Sequence, residues 1–310
     1  MKVAIDVTPL RLTRAGTARY LENIRARVDA HELAFGGADR AAVLARELWW
    51  YPFRLSALGG FDVLHCPTYY APVRPRVPTV VTVHDLAVLR NPEWFPAWTR
   101  TYAPHVVPRM IRAATRVIAV SEFTARETEE LLAVPRDRIR VVPNGVEPVF
   151  TREGPRAEGE YVLAVGTLEP RKNLQRTIAA AKRVGVELRV VGERGWGRVD
   201  AGVAWQGRVG DEELARLYRG ARCLVYASHY EGFGIPVAES LACGTPVVTS
   251  RGSAMEEVAG DAAVLVDPLD VDSIAAGIVE ASSRTVHSFE TPTWDEAARL
   301  TVEVYHEAAA

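Results

Sequence analysis

Two adjacent cations stand at a predicted strand–helix junction in residues 165–173, which read VGTLEPRKN. A predicted strand ends at Gly166, and Asn173 is placed to cap the helix that follows. Arg171 and Lys172 therefore lie at the start of that helix. Cations beside a helix N-terminus are suited to bind a diphosphate, because the backbone amides favour the same negative charge. A solvated Arg-Lys pair without a function is the alternative interpretation.

Two carboxylates follow a second predicted strand, over residues 223–227. Glu231 lies in the loop, whereas Glu239 lies about one turn into the next predicted helix, among apolar residues that disfavour an exposed charge. The glycines between them, Gly234 among these, let the backbone approach a ligand closely. Carboxylates bind the vicinal hydroxyls of a ribose or sugar, and backbone N–H groups suit phosphate oxygens. The pattern predicts that both carboxylates point into one pocket; an exposed helix charge is the alternative for Glu239.

Both junctions belong to a regular alternation of strands and helices. In the first half, strands are predicted over 2–7, 63–65, 79–83, 116–120 and 138–142, and helices over 16–27, 40–50, 97–113 and 122–132. In the second half, strands are predicted over 161–165, 188–191, 223–227, 246–249 and 263–266, and helices over 173–184, 212–220, 236–243, from 254, and over 271–281. A last helix is predicted over 293–309.

This alternation predicts an α/β fold with parallel sheets, that is, two Rossmann-like domains facing a cleft, with a C-terminal helix. We expect an N-terminal domain over 1–152, a C-terminal domain over 153–290, and a helix over 291–310 that crosses back to the N-terminal domain. Residues 147–160, EPVFTREGPRAEGE, are interpreted as the interdomain linker because they are rich in Pro, Gly and charge.

Composition excludes several classes of protein. The chain has 310 residues, 48% apolar and 25% charged, which is enough for about two globular domains and unlike a disordered or collagen-like chain. Its three cysteines share no close spacing, which fits neither a zinc site nor a disulfide scaffold and suggests a reducing cytoplasm. The apolar runs are shorter than the ~18 residues of a membrane-spanning helix, and the N-terminus reads as a strand rather than a signal peptide.

Charge differs between the two halves of the chain. Residues 1–150 contain 20 Lys and Arg against 15 Asp and Glu, a net +5, whereas residues 151–310 contain 17 against 24, a net −7. A basic half fits anionic lipid or an acidic partner, and a scattered arginine surface is the alternative. No pattern indicates a nucleic-acid partner.

Residues 231–250, EGFGIPVAESLACGTPVVTS, hold the two glutamates in an E-x7-E arrangement and resemble retaining glycosyltransferases of family 4, which have the GT-B architecture. The segments GTLEPRKN, VSEFTARE, VVPNG, TVHDL and TWDEAARLTVEVY are similar to the same family. The resemblance covers nearly the whole chain and is most specific in residues 160–270. It implies that the N-terminal domain binds the acceptor and the C-terminal domain binds a nucleotide sugar.

The resemblance also implies roles for the residues at the two junctions. Arg171 and Lys172 would hold the donor diphosphate and neutralise the leaving group. Glu239 would bind the ribose of the nucleotide, and Glu231 would contact the donor sugar hydroxyls. Gly166 would lie in the donor site. Three backbone N–H groups would line the sugar and phosphate site, those of Phe233, Gly234 and Ile235.

Three residues of the N-terminal half also correspond to positions of the family. His84, after the predicted strand VPTVVTV, matches a catalytic histidine near the donor sugar; a satisfied loop histidine beside Asp85 is the alternative. Gly16 corresponds to the glycine-rich first loop near the phosphates, although this chain reads Ala-Gly-Thr where relatives carry Gly-Gly or Gly-Ile. Asn144 in VVPNG is either a donor or acceptor contact or a turn asparagine.

The implied reaction transfers a hexose, mannose or glucose, from a nucleoside diphosphate sugar to an acceptor hydroxyl with retention. The donor would be of the GDP-mannose or UDP-glucose type, and the acceptor a sugar, a lipid-linked sugar or a small molecule. No cofactor or metal is expected. A cytoplasmic location is expected, with peripheral contact to the inner face of the membrane as an option. The alternatives are a nucleotide-sugar 2-epimerase of the same architecture and a non-catalytic nucleotide-sugar-binding protein.

Two motifs imitate other kinds of site. Asp270 and Asp272 resemble the metal-binding DxD of another glycosyltransferase architecture, but they precede a predicted helix and are interpreted as caps. Residues 192–197, GERGWG, have the wrong glycine order for a dinucleotide fingerprint and are interpreted as a flexible loop by the nucleotide. Without a metal, Arg171 and Lys172 would have to stabilise the leaving group.

Aromatic residues cluster in the N-terminal half at residues 49–53, WWYPF, and at Tyr69 and Tyr70. Their faces are suited to stack on an acceptor sugar or to contact a lipid interface. Ordinary packing inside the protein is the alternative.

Overall fold

The computed structural model describes residues 1–11, 16–37, 39–95, 97–193 and 203–310. These residues divide into two units, one formed by Met1–Gly145 with Thr293–Ala310 and the other by Val146–Pro292. Each unit has its own parallel six-stranded sheet with flanking helices. The predicted α/β class with two Rossmann-like folds and a C-terminal helix is therefore confirmed.

The elements of the two units follow the predicted alternation. The strands are β1 (Val3–Asp6), β2 (His31–Leu33), β3 (Val63–Cys66), β4 (Thr79–Val83), β5 (Arg116–Ala119), β6 (Ile139–Val141), β7 (Tyr161–Val165), β8 (Glu187–Val191), β9 (Ala204–Gly207), β10 (Leu224–Tyr226), β11 (Val247–Ser250) and β12 (Ala263–Val266). The helices are α1 (Gly16–Arg27), α2 (Arg40–Ala45), α3 (Ala87–Arg90), α4 (Ala97–Ala113), α5 (Glu122–Leu132), α6 (Leu174–Val184), α7 (Asp211–Gly220), α8 (Ile235–Ala242), α9 (Ala254–Ala259), α10 (Val271–Ser282) and α11 (Trp294–Ala309).

The first sheet has the strand order β2-β1-β3-β4-β5-β6, and every neighbouring pair is parallel. The inner strands β3 and β4 are buried along their whole length, as expected for a parallel sheet covered on both faces. The strand order reverses between β1 and β3. In open α/β sheets, ligands bind beyond the carboxyl ends of the strands at such a reversal.

The second sheet has the strand order β12-β11-β10-β7-β8-β9 and is also parallel throughout. Its order reverses between β7 and β10, which lie side by side with Leu163 opposite Leu224. The loop of residues 166–173 follows β7, and the loop of residues 227–234 follows β10. The fold therefore places both junctions predicted from the sequence at the reversal of this sheet.

Two edge strands and the end of one helix differ from the prediction. Strands β2 and β9 are 3 and 4 residues long and mostly exposed or half-buried, so neither carries the apolar run that marks a buried strand. The helix predicted to end at residue 50 continues instead, because a π-helix at Arg46–Arg54 follows α2 directly.

The segment predicted to be an interdomain linker belongs to the second unit. Phe150 is buried and its ring meets that of Tyr218 in α7 edge-on, with centroids 5.9 Å apart. Arg219 donates from Nε to the carbonyl of Pro155 at 2.8 Å and from Nη1 to that of Thr151 at 3.1 Å. The linker prediction is wrong because this polar backbone finds its hydrogen-bond partner in a helix of the second unit.

The last helix, α11, packs in the first unit. Trp294 and Tyr305 are buried in its core, and Glu307 accepts hydrogen bonds from Arg116 Nε at 3.2 Å and Arg140 Nε at 3.0 Å. Within the described ranges, no helix combines the length and the apolar character needed to cross a membrane.

Candidate active site

The loop after β7 holds two cations in a short 3-10 turn at Pro170–Lys172. Gly166, the first residue after the strand, has a φ of 149°, and a Cβ there would meet Lys172 Cδ at 3.3 Å. The aliphatic part of Lys172 therefore lies over the backbone of Gly166. The prediction that the Asn173 side chain caps α6 is wrong: this residue has a φ of 55°, and its amide donates to the carbonyls of Ala227 at 2.9 Å and Pro268 at 2.7 Å.

The loop after β10 reaches the same region from the neighbouring strand. Tyr226 is the last residue of β10, and Glu231 follows in the loop with only 8% of its surface exposed. Gly234 precedes α8 with a φ of 91°, and a Cβ there would come within 2.7 Å of Met255 Cγ. Glycine is required at this position for both reasons.

Arg171, Lys172 and Glu231 form one cluster at the carboxyl ends of β7 and β10. Arg171 Nη1 donates to Glu231 Oε2 at 2.7 Å, and Lys172 Nζ donates to Glu231 Oε1 at 2.5 Å. Lys172 Nζ also lies 2.6 Å from the Tyr226 hydroxyl, which donates to Glu231 Oε1 at 3.1 Å. Glu169 completes the cluster by accepting a hydrogen bond from Arg171 Nε at 2.8 Å.

Burial and charge act in opposite directions on the ionisable groups of this cluster. Burial alone would raise the pKa of Glu231, but the Arg171 and Lys172 cations outweigh it and lower that pKa to about 2. Burial lowers the pKa of Lys172, and the Glu231 carboxylate counteracts this shift. Burial also raises the pKa of the Tyr226 hydroxyl well above its usual value, so this hydroxyl keeps its proton as a donor. Glu231 is thus a buried carboxylate held between two cations.

The second carboxylate of the pair has a different partner. Glu239 lies in α8, is 2% exposed, and accepts a hydrogen bond from the Tyr218 hydroxyl of α7 at 3.0 Å. Burial raises the pKa of Tyr218 well above its usual value, so the phenol remains a donor to the carboxylate. The predicted exposed-charge alternative for Glu239 is excluded. That both carboxylates serve one pocket stays a prediction.

The backbone amides proposed for the donor site lie where α8 begins. Gly234 is the residue that precedes the helix, and Ile235 is its first residue. The first N–H groups of a helix have no acceptor within the helix, so the start of α8 is suited to the anionic end of a ligand. The positions of Phe233, Gly234 and Ile235 are consistent with the sequence-based role, which stays a prediction.

The remaining candidates lie in the first unit. His84 Nε2 donates to the carbonyl of Pro67 at 2.9 Å, and its ring meets that of Tyr20 edge-on at 4.8 Å. Burial lowers the pKa of His84, which favours a neutral imidazole with its proton on Nε2. Gly16 begins α1, although residues 12–15 of its loop lie outside the described residues. Asn144 is 4% exposed, and its Oδ1 has no hydrogen-bond partner among the described residues.

The Asp270–Asp272 motif, which resembles a metal-binding DxD, lies at the start of α10. Asp270 accepts a hydrogen bond from the backbone of Asp272 at 2.9 Å and caps α10, which confirms the cap prediction; Asp272 pairs with Arg183. Among the described residues, no group of three or more His, Cys, Asp or Glu side chains could hold a metal ion. In the motif at 192–197, residues 194–197 lie outside the described residues, and so does the predicted loop by the nucleotide.

Sequence reasoning missed three members of the site. Glu169 stands two residues before Arg171 in the same motif, and Tyr226 ends the strand that leads to Glu231, so position at a strand end was a usable signal for both. Tyr218 gave no local signal, because its contact with Glu239 joins two helices that are distant in sequence.

Two parallel Rossmann-like units, with a carboxylate held between two cations at the reversal of the second sheet, have the architecture of a GT-B glycosyltransferase. The family model described as "Glycosyl transferases group 1" matches residues 147–288, and the one described as "Glycosyltransferase Family 4" matches residues 6–150. The O-antigen chain mannosyltransferase B of Escherichia coli is 31% identical over 282 residues, covering 78% of this chain and 74% of that protein. The chain belongs to glycosyltransferase family 4 and is a transferase.

Solved structures share the fold across the whole chain. The sucrose-phosphate synthase of Thermosynechococcus elongatus aligns with a TM-score of 0.76 at 16% identity, covering 99% of this chain and 98% of that one. Anabaena HepE, solved in complex with UDP-glucose, aligns with a TM-score of 0.71 at 17% identity, covering 100% of this chain and 98% of that one. At these identities the likeness shows the fold alone.

Proposed function

We propose that this glycosyltransferase moves a hexose, with retention and without a metal ion, from a nucleoside diphosphate sugar to an acceptor hydroxyl. The observation that carries the proposal is the contact of both Arg171 and Lys172 with Glu231, at 2.7 Å and 2.5 Å, at the carboxyl ends of β7 and β10. Two cations fixed side by side at the reversal of a parallel sheet match the two phosphates of a donor.

The cluster is formally neutral, because Glu169 and Glu231 balance Arg171 and Lys172. A diphosphate that enters the site would also bind the two cations and would weaken their hydrogen bonds to Glu231. Glu231 would then be able to accept hydrogen bonds from the donor sugar, which is the role its family position implies. In this proposal the carboxylate orients the two cations before the donor binds and contacts the sugar afterwards.

Glu239 is the candidate for the ribose. Its hydrogen bond from Tyr218 fixes one carboxylate oxygen, and a carboxylate can accept further hydrogen bonds from vicinal hydroxyls. The amides of Phe233, Gly234 and Ile235 would bind the sugar or the phosphates, and Gly166 would let the donor approach the backbone. The donor complex of Anabaena HepE, which contains UDP-glucose, supports a nucleoside diphosphate sugar as the donor class.

The chemical step would be carried by positioning and electrostatics. The bond between the anomeric carbon and the diphosphate breaks as negative charge moves to the leaving oxygen, which Arg171 and Lys172 stabilise. The acceptor oxygen bonds to the anomeric carbon on the face that the diphosphate leaves and gives its proton to the departing phosphate, so the configuration is retained. Preorganised cations of this kind replace the metal ion that other glycosyltransferases use, and no cofactor is needed.

His84, Gly16 and Asn144 of the first unit would have the roles that their family positions imply. A neutral His84, with its Nε2 proton held by Pro67, presents Nδ1 as an acceptor, suited to a hydroxyl of the sugar. Gly16 would lie near the phosphates, and Asn144 would contact the donor or the acceptor. The acceptor itself would be a sugar, a lipid-linked sugar or a small molecule.

Mannose is the favoured sugar, with GDP-mannose as the donor and UDP-glucose as the competing choice. The name of the Escherichia coli relative, a mannosyltransferase, supports this choice, as does the Glu-Pro-Arg-Lys sequence of the cation loop. The location that fits such an enzyme is the cytoplasm, where nucleotide sugars are used.

The experiment is a donor panel followed by product analysis. Thermal shift with GDP, UDP, ADP and their hexose conjugates identifies the donor, because a ligand that binds the folded state raises the melting temperature. Transfer to simple glycosides is then measured with EDTA present, and the anomeric configuration of the product is read by NMR. Retention in EDTA supports the proposal, and a product of inverted configuration contradicts it. A C2-epimerised product without acceptor would indicate an epimerase, and donor binding without turnover a binding protein.

A further inference from the structure

One uncharged group contacts both members of the ion pair between Lys172 and Glu231. The Tyr226 hydroxyl accepts a hydrogen bond from Lys172 Nζ at 2.6 Å and donates one to Glu231 Oε1 at 3.1 Å. A phenolic hydroxyl can do both at once, because it has one proton and free lone pairs. The hydroxyl therefore fixes the ammonium and the carboxylate relative to each other.

The second sheet fixes the position of Tyr226. This residue ends β10, is 4% exposed, and lies opposite Thr249 of β11 in the parallel pairing. Thr249 Oγ1 donates to the carbonyl of Tyr226 at 3.0 Å, which adds a side-chain bond to that pairing. Lys172, in contrast, lies in the 3-10 turn after β7 and carries its charge on a flexible four-carbon chain. A residue of the sheet thus holds an ammonium that its own loop leaves mobile in principle.

The ammonium of Lys172 has one N–H left for a ligand. An ammonium has three N–H donors and no acceptor. Among the described residues its hydrogen-bond partners are Glu231 and Tyr226, and 14% of the lysine side chain is exposed. If a donor diphosphate draws Lys172 away from Glu231, as the proposed function requires, the hydrogen bond to Tyr226 is the contact that remains.

A neutral hydroxyl is better suited to this position than another charged group. The charged groups around Lys172 are Arg171 and Glu169 of its own loop and Glu231 of the loop after β10; burial and Arg171 lower the pKa of Lys172, whereas the two carboxylates counteract this shift. Another carboxylate would repel a diphosphate, whereas a hydroxyl stabilises the ammonium without adding negative charge. Burial raises the pKa of Tyr226 well above its usual value, so its hydroxyl stays uncharged.

We infer that Tyr226 is a positioning residue for Lys172, whose ammonium it holds in place while the donor diphosphate replaces Glu231. The inference rests on the proposed function and deepens it. Tyr226 acts through Lys172 and not by contact with the donor. Glu231 is then free to bind the sugar, while Lys172 stays at the phosphates.

The first experiment measures Lys172 in the full chain without substrate, by an NMR pH titration of the lysine ¹³Cε signals. The sequence has three lysines, Lys2, Lys172 and Lys182, and Lys172→Ala assigns the signal of interest. Tyr226→Phe should lower the pKa of Lys172, because a hydrogen bond to the charged form is lost. At a given pH the ratio of charged to neutral Lys172 should fall about tenfold.

Two controls accompany the titration. Lys182 is the internal control, and its titration should not change. Tyr161→Phe is the matched variant, because it removes another buried phenolic hydroxyl of the same sheet, one that donates to a backbone carbonyl at 2.7 Å. The pKa of Lys172 should keep its wild-type value in this variant. An unchanged pKa of Lys172 in Tyr226→Phe overturns the inference.

The second experiment is a double-mutant cycle of transfer rates. Tyr226→Phe should lower kcat about tenfold in the wild-type background. It should change kcat less than about twofold in the Lys172→Ala background, because both substitutions act through one ammonium. An equal effect in the two backgrounds overturns the inference.

The cycle also separates the inference from the function on which it rests. If Lys172→Ala is impaired and Tyr226→Phe is not, the proposed function stands and the inference alone fails. If the folded Lys172→Ala enzyme transfers at the wild-type rate, the proposed role of Lys172 fails and the inference fails with it.

Discussion

Each unit contains a buried polar cluster, and the two clusters are in opposite electrostatic states. In the second unit, Glu231 is a carboxylate between two cations, with its pKa lowered to about 2 by Arg171 and Lys172 against the effect of burial. In the first unit, His65 lies 2.7 Å through Nδ1 from the Tyr305 hydroxyl and 2.9 Å through Nε2 from Thr82 Oγ1. Burial lowers the pKa of His65 to about 3, so this network is neutral.

The contrast separates function from structure. Burying charges together is a poor way to gain stability, because desolvation offsets most of their attraction. A charged cluster at the reversal of a sheet therefore indicates a site prepared for a charged ligand. The neutral network around His65 satisfies its hydrogen bonds internally and ties α11 to β3 and β4, so it stabilises the first unit instead.

The largest expected effect is that of Lys172→Ala on turnover. Losing a charge-assisted contact to the leaving diphosphate should lower kcat by about 10²–10³-fold, or about 2.7–4 kcal/mol, by analogy with removal of an oxyanion donor. Steady-state transfer assays measure this, with Lys182→Ala on α6 as the matched control. If the folded Lys172→Ala enzyme turns over at nearly the wild-type rate, Lys172 does not stabilise the leaving diphosphate.

Glu239→Gln should mainly weaken donor binding. The ribose changes little during the reaction, so losing a charged acceptor there should raise the Kd of the nucleoside diphosphate about 10–100-fold while changing kcat little. Calorimetric titration together with kinetics measures both quantities. An unchanged Kd for the nucleoside diphosphate would place the ribose elsewhere.

Tyr305→Phe should lower the stability of the first unit and leave the transfer rate unchanged. Removing the hydroxyl leaves His65 Nδ1 buried without a partner, which should lower the free energy of unfolding by about 1–3 kcal/mol. Urea denaturation measures the loss, and Glu303→Gln on the exposed side of α11 is the control. A large fall in kcat with unchanged stability would mean that the His65 network belongs to the reaction site.

The pH dependence of stability distinguishes the two regions. His65 has a folded pKa of about 3 against 6.5 in the unfolded chain, so its contribution is complete above pH 6.5 and is lost as pH falls toward 3. The loss is at most about 1.4 kcal/mol per pH unit for one proton. The contribution of Glu231 is lost only between pH 4.5 and about 2. Urea denaturation at pH 7.5, 6.5 and 5.5 should already show a decline in the free energy of unfolding. A free energy of unfolding that stays constant down to pH 5 would contradict a neutral His65.

The sequence predicted the inner strands, most helices and both junctions of the second unit, because buried parallel strands and capped helices leave local patterns. It missed β2 and β9, which lie at sheet edges with little apolar burial. The prediction that the Asn173 side chain caps α6 was wrong, because its amide donates to carbonyls of two distant loops. The contacts of Tyr218 with Glu239 and of Tyr305 with His65 are tertiary, and no local spacing encodes them.

The central claim is that Arg171 and Lys172 serve a donor diphosphate and are not merely the ion-pair partners of Glu231. Calorimetric titration of the preferred nucleoside diphosphate into wild type, Lys172→Ala and Glu231→Gln tests it directly. We expect Lys172→Ala to bind at least about tenfold more weakly. Glu231→Gln should bind as well as wild type or more tightly, because it releases both cations to the ligand, while its transfer rate falls. Wild-type affinity in Lys172→Ala, or lost nucleotide binding in Glu231→Gln, would contradict the account.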